Sequence, residues 1–294
     1  HELVNPPSAE AVSKEIFFIL KQTYKDEDFS FLENAFKDFI RLFNGDYPGY
    51  CKCDTPYHDI MHSAEVFLAA GRLLDGYNIA NPDEIIPFRK AEILFISALF
   101  HDSGFISKEE DPKEKGARNL VNHEERGKEF TANYLKAERF SRKEIALSGK
   151  LIETTDLFTT ISDLKFASEI DRILGNILGT ADLAGQMAAR TYLERLQYLY
   201  EEFLDAGLPV YSSEFDLVSR TGDFYENTVK IRLIDDFQNA INYAQIHFKA
   251  RSGIDENIYI TSIENQLKYL RDSVCNAPDT FKEKFRRLDN RNPK

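Results

Sequence analysis

The stretch "EIDRILGNILGTADLAGQM", Glu169 to Met187, repeats apolar residues at Ile170, Ile173, Leu174, Ile177, Leu178 and Ala181. Steps of three and four put these side chains on one face of an α-helix; a strand would alternate. The same period runs through "FSFLENAFKDFIRLF" (Phe29 to Phe43) and "YLERLQYLYEEFLDAG" (Tyr192 to Gly207). It continues in "DFQNAINYAQIHFKAR" (Asp236 to Arg251) and "TSIENQLKYLRDSV" (Thr261 to Val274). Alternating segments are nearly absent. The chain therefore reads as an all-α, multi-helix bundle in one domain. We expect an N-terminal helical layer over 1–50, a central core over 51–250 and C-terminal helices over 251–294. Loops are expected at Asn44 to Thr55, Asn78 to Pro82, Ser107 to Gly116 and Gly207 to Thr221.

Length and composition narrow the function. The 294 residues, 43% hydrophobic and 29% charged, suit an ordinary globular protein with a large core. No apolar run is long enough to span a bilayer. "AEILFISALF" (Ala91 to Phe100) reads as a buried core helix. No signal-peptide pattern opens the chain. The first residue is His1, which leads us to expect a processed chain or a piece of a longer one. Three cysteines, Cys51, Cys53 and Cys275, make no disulfide framework and no zinc knuckle, which fits a reducing, cytoplasmic setting. A net charge of −12 argues against nucleic acid as partner, where Lys and Arg must meet phosphates. It also repels small anions, so handling a phosphate would require a local positive charge, such as bound metal.

Three short pieces carry the chemistry. In "YHDIMHSAEV" (Tyr57 to Val66), His58 and His62 are four residues apart and share a helical face. In "ISALFHDSGF", His101-Asp102 closes a run that is apolar on every side. A buried His and Asp are costly unless paired or bound to a cation. Asp182, in "GTADLAG", interrupts an apolar helix face. Each piece alone also fits a structural role: an exposed histidine pair, a buried His–Asp hydrogen bond, a helix cap or a salt bridge.

Taken in order, the set resembles the HD superfamily of metal-dependent phosphohydrolases, and within it the catalytic domain of 3′,5′-cyclic-nucleotide phosphodiesterases. The matching positions are Tyr57-His58 with His62, His101-Asp102, Asn122-His123, Thr155-Asp156 and Ala181-Asp182-Leu183, spread over Tyr57 to Phe203. The resemblance implies an all-helical phosphodiesterase-like core and two divalent metal ions drawn from Mg, Mn, Zn or Fe. It implies that His62, His101, Asp102 and Asp182 hold the first ion, with Asp102 bridging to the second. A hydroxide between the ions attacks phosphorus in line, and His58, as general acid, protonates the leaving 3′ oxygen. The implied partner is a small phosphate ester, most of all a cyclic nucleotide. Tyr57, Thr155 and Asp156 would line the pocket.

The chain departs from the family pattern at several places. Asp59 stands where the family has Asn after the catalytic His, and is a candidate to orient His58. Phe105 stands where a His is usual. Val121 occupies the place of a glutamate that supports the acid, and Glu124 and Glu125 in "NHEERGKE" are candidate replacements. The "NHEE" wording is closer to general HD phosphohydrolases, which makes His123 a candidate second-metal or phosphate contact. No base-reading Gln occurs in "YENTVKIRLID" (Tyr225 to Asp235), where Asn227 is the nearest amide. Alternatives are an HD phosphohydrolase of nucleotide monophosphates or alarmones, an HD-type di-iron oxygenase and a regulatory module without turnover.

Overall fold

The computed structural model describes residues 2–4, 6–111 and 116–285. Among these residues the architecture is all-α, as expected, with no strand. One isolated antiparallel bridge, Tyr50 to Lys108, ties two loops together. The helices are α1 (Ala9–Thr23), α2 (Ser30–Asn44), α3 (Ile60–Ala80), α4 (Phe88–Phe100), α5 (His123–Ala137) and α6 (Arg142–Glu153). They continue with α7 (Glu169–Ala188), α8 (Tyr192–Asp205), α9 (Glu214–Phe224), α10 (Tyr243–Ser252) and α11 (Ile258–Tyr269).

Helix α3 is the axis of the bundle. It packs against α1, α4, α7 and α10. Every residue from His62 to Asn78 is buried. A helix with charged residues inside must pair them, because an unpartnered buried charge is strongly destabilising. Arg72 accordingly donates to Glu15 of α1, the Leu3 carbonyl and the Tyr259 hydroxyl of α11. Asp75 accepts from Arg251 and pairs with His247, both on α10. These two residues fasten the outer helices to the axis. Helix α4 is buried continuously from Ala91 to Phe100, as its sequence demands. Each fully buried Leu, Ile or Phe there contributes about 1.5–3 kcal/mol.

Backbone meets backbone beside this core. Helix α4 runs into a short 3₁₀ turn, His101–Phe105, which lies against α5. A Cβ on Gly104 would lie 1.8 Å from the His123 carbonyl oxygen, and one on Gly127 would lie 2.3 Å from that of His101. Only glycine admits this approach at both positions.

The helix borders differ from the sequence reading in four places. The second half of the expected Gly207 to Thr221 loop folds as α9, capped by Ser213, whose hydroxyl accepts from the Asp216 amide. The Asp236 to Arg251 helix begins only at Tyr243, because Gln238 and Asn239 adopt left-handed backbone at φ 52° and 57°. Helix α11 starts earlier than Thr261 and widens into a π turn over Leu270–Val274. Helix α3 continues through Ala80, where Asn78 is held inside by the Tyr24 hydroxyl and the Ile86 amide. Residues 112–115 of the expected Ser107 to Gly116 loop, and 286–294 of the expected C-terminal helices, lie outside the described residues.

Candidate metal centre

Asp59 begins the site. It is the N-cap of α3, and its carboxylate accepts from the His62 amide at 2.9 Å. The same oxygen meets Arg195 of α8 at 2.9 Å. Asp59 therefore fixes the first turn of α3 rather than orienting His58. One turn into the bundle, His62 is buried and faces the end of α4 and the middle of α7.

Four side chains from three elements converge there. His62 Nε2 lies 3.1 Å from Asp102 Oδ2 and 3.3 Å from Asp182 Oδ1. His101 Nε2 lies 3.3 Å and 3.6 Å from the same two oxygens. His62, His101 and Asp102 form a buried group with one ligand atom each within 4.8 Å of the others. Asp182 closes it from α7. Yet His101 Nε2 and Asp102 Oδ2 have no hydrogen-bond partner, and neither does His62 Nδ1. Buried polar atoms without a partner are costly, and a cation bound between His101 Nε2 and Asp102 Oδ2 would satisfy both. His101 Nδ1 donates to the Ala98 carbonyl at 2.9 Å, which leaves the Nε2 lone pair free in the neutral ring. Two imidazole nitrogens and two carboxylates suit Zn, Fe or Mn, and tolerate Mg. The residues fit a divalent cation.

The electrostatics state the same need for positive charge. Burial alone would lower the pKa of His62, but Asp102 and Asp182 outweigh it and push it up to about 9. Burial acts the same way on His101, and the same carboxylates carry it well above the ordinary imidazole value. Burial would raise Asp102, yet His101 and His62 hold it well below the usual carboxylate range. The same balance takes Asp182 down to about 2. Without a cation, protons on the imidazoles must supply the charge that the two carboxylates require.

His58 stands outside this set. Its Nδ1 donates to Glu202 Oε2 of α8 at 2.6 Å. Glu202 is buried, and its other oxygen accepts from the Tyr57 amide at 2.7 Å. This carboxylate supports His58; Glu124 and Glu125 do not. Glu124 instead lies 3.2 Å from His123 Nδ1. Glu125 pairs with Lys128, and Val121 is exposed. Sequence reasoning missed Glu202. Its signal was a carboxylate seven residues beyond Arg195 on the apolar face of α8.

His123 sits across from His58. Its Nδ1 donates to the Leu120 carbonyl at 2.8 Å, and its Nε2 lies 3.9 Å from Asp102 Oδ1. Burial holds its pKa below the usual value, so it is a neutral donor aimed at the free side of Asp102. Burial, with Asp156 and Asp102 nearby, pushes Glu124 up to about 7.

The expected pocket residues divide. Tyr57 is buried beside His62, with ring centroids 6.4 Å apart, and its hydroxyl donates to Gln186 Oε1 at 2.7 Å. Gln186, one turn beyond Asp182 on α7, was not foreseen. The Thr155 hydroxyl donates to the Ile152 carbonyl, and Asp156 accepts from the Phe158 amide and the Thr159 hydroxyl. Both shape the turn after α6. That turn is gripped by buried Arg232, which donates to the carbonyls of Thr154, Asp156, Leu157 and Thr159. Asn227 is exposed on the π turn Tyr225–Val229, and no hydrogen bond or ion pair among the described residues joins it to the cluster.

No helix among the described residues is long and apolar enough to cross a membrane. No protein-family model matches the chain, and no curated protein matches it.

Proposed function

We propose that this chain is a metal-dependent phosphohydrolase of the HD type that opens a 3′,5′-cyclic nucleotide to the 5′-monophosphate. The observation that carries the reading is the convergence of His62, His101, Asp102 and Asp182 beside the separate His58–Glu202 pair. Metal ligands and a proton carrier are thus different residues on adjoining walls.

When bound, a pair of divalent ions makes hydroxide available at neutral pH and neutralises charge developing on phosphorus. His62, His101, Asp102 and Asp182 would hold one ion. Asp102 Oδ1 and His123 Nε2 would contact the other. The oxygen of water bonds to phosphorus while the bond to the 3′ oxygen breaks. His58 gives its Nε2 proton to that leaving oxygen, while Glu202 keeps the ring in one orientation through Nδ1. Tyr57 closes the wall behind His62 and orients the Gln186 amide.

The placement of His123, with Glu124 beside it, favours a second reading: an HD phosphohydrolase acting on a nucleotide monophosphate or an alarmone. A turnover screen of cyclic nucleotides, monophosphates and alarmones with Mg, Mn and Fe separates the two. Conversion of a cyclic nucleotide to its 5′-monophosphate supports the first. Hydrolysis of the other esters alone replaces it with the second. Two stoichiometric irons with oxygen uptake and no ester hydrolysis would refute both.

A further inference from the structure

Phe105 ends the turn that carries His101 and Asp102, and it is 1% exposed. Its ring stacks on two imidazoles. The centroid of His58 lies 4.3 Å away at an interplanar angle of 11°, and that of His123 lies 4.3 Å away at 25°. The two imidazole centroids are 6.1 Å apart. The ring of Phe105 is thus packed, nearly parallel, against both imidazoles at once.

Each imidazole is held at one edge by a different partner. Glu202 holds Nδ1 of His58, and the Leu120 carbonyl holds Nδ1 of His123. One hydrogen bond fixes an edge of a ring but leaves it free to swing about that edge. A flat ring packed against the imidazole removes the swing. His58 comes from the loop before α3 and His123 from the start of α5, so no shared helix sets their relative height.

We infer that Phe105 is a positioning residue: it packs against both His58 and His123 and so sets the place of the proton carrier relative to Asp102 and its partners. The geometric part stands on the stacking distances; its effect on turnover rests on the hydrolase reading above. The side chain has no group that titrates or ligates, so it acts only through its face. Misplacing a catalytic group by about 1 Å costs up to about 100-fold in rate.

The test compares wild type, Phe105→Leu and Phe105→Tyr. Leu fills much of the volume without a flat face, and Tyr keeps the face. Imidazole proton resonances are assigned with His58→Gln and His123→Gln variants and recorded before and after Mg loading. In wild type and Phe105→Tyr, the ring protons of both His58 and His123 are expected upfield, as protons above an aromatic face are. In Phe105→Leu they return to ordinary positions. Turnover by Phe105→Leu is expected to fall 10- to 100-fold, mainly in kcat, with metal content unchanged and Phe105→Tyr near wild type. Unshifted resonances in wild type, or wild-type turnover by Phe105→Leu, would overturn the inference. So would loss of metal from Phe105→Leu, since Phe105 would then be packing the ligands. Shifted resonances with no ester turnover by wild type uphold the platform and reject the hydrolase reading instead.

Discussion

Glu202 and His58 are 144 residues apart in the chain and 2.6 Å apart in the fold. This contact joins α8 to the loop that leads into α3, and it holds the Nδ1 edge of the imidazole. His58 lies in the loop before α3 and His62 on its first turn, so the two do not share the helical face that their four-residue spacing suggested.

The separation gives the first expected outcome. His58→Ala should lower turnover by about 100- to 10,000-fold, the usual worth of a general acid. Metal content measured by atomic emission should stay at the wild-type level. Glu202→Ala should lower turnover in the same direction, again with metal retained. Equal metal loss from His58→Ala and His62→Ala would contradict the division of roles.

Removing a ligand should act on metal first. His62→Ala and Asp182→Ala are expected to purify with little metal and to bind added Mn weakly in calorimetry. Asp182→Ala also leaves two buried imidazoles with one carboxylate, so the stripped protein should melt at lower temperature than wild type. An Asp182→Ala variant with full metal and full activity would remove Asp182 from the centre.

The pH dependence has a defined sign. The pKa of His62 rises from 6.5 to about 9 in the folded, metal-free protein. A raised imidazole stabilises the fold in full below about pH 6.5, and that contribution is lost as pH climbs through about 9. Asp182, lowered from 3.8 to about 2, contributes stability present above pH 3.8 and lost as pH falls through about 2. Stripped protein should therefore lose melting temperature between pH 6.5 and 9, and metal-loaded protein should lose much less. Because metal must displace protons from His62 and His101, affinity should rise with pH over the same window. Calorimetry in buffers of different ionisation enthalpy should detect the released protons; none released would exclude these histidines as ligands.

Arg232 offers a test away from the metal. Its guanidinium satisfies four carbonyls of the turn after α6. Arg232→Ala takes this donor from the buried Thr154 carbonyl and from three partly buried ones, at a cost on the order of 1–3 kcal/mol. Amide hydrogen exchange should quicken in the Thr154 to Thr160 turn before it changes in α3. Unchanged exchange there would mean that the turn holds its shape by its own Asp156 contacts.

Most helices were legible because their apolar residues recur every three or four positions, as in α2, where Leu32, Ala35, Phe36, Phe39 and Phe43 are all buried. The four converging residues were also legible, since His and Asp inside apolar runs must find partners. The missed parts had other causes. α9 buries only Leu217, Val218 and Thr221, too few to show a period, although Ser213 was a capping signal. The late start of α10 depends on two left-handed residues, neither of them glycine, within a stretch whose apolar spacing still looks helical. Glu202 was hidden because a pairing between α8 and the loop before α3 is a matter of tertiary packing. Sequence neighbours such as Glu124 were nearer in the chain but turned elsewhere.

The close approach at Gly104 and Gly127 divides the centre into an anvil and a jaw. His101, Asp102 and His123 are carried on elements whose main chains touch, the anvil of the centre. Tyr57, His58 and Glu202 reach the same space from a loop and a separate helix, the jaw, whose loop is tied beyond the His101–Phe105 turn by the Tyr50 to Lys108 bridge. The distance of His123 from His101 and Asp102 is thus set by backbone contact rather than by side-chain rotation, and a Cβ at either glycine would force it wider.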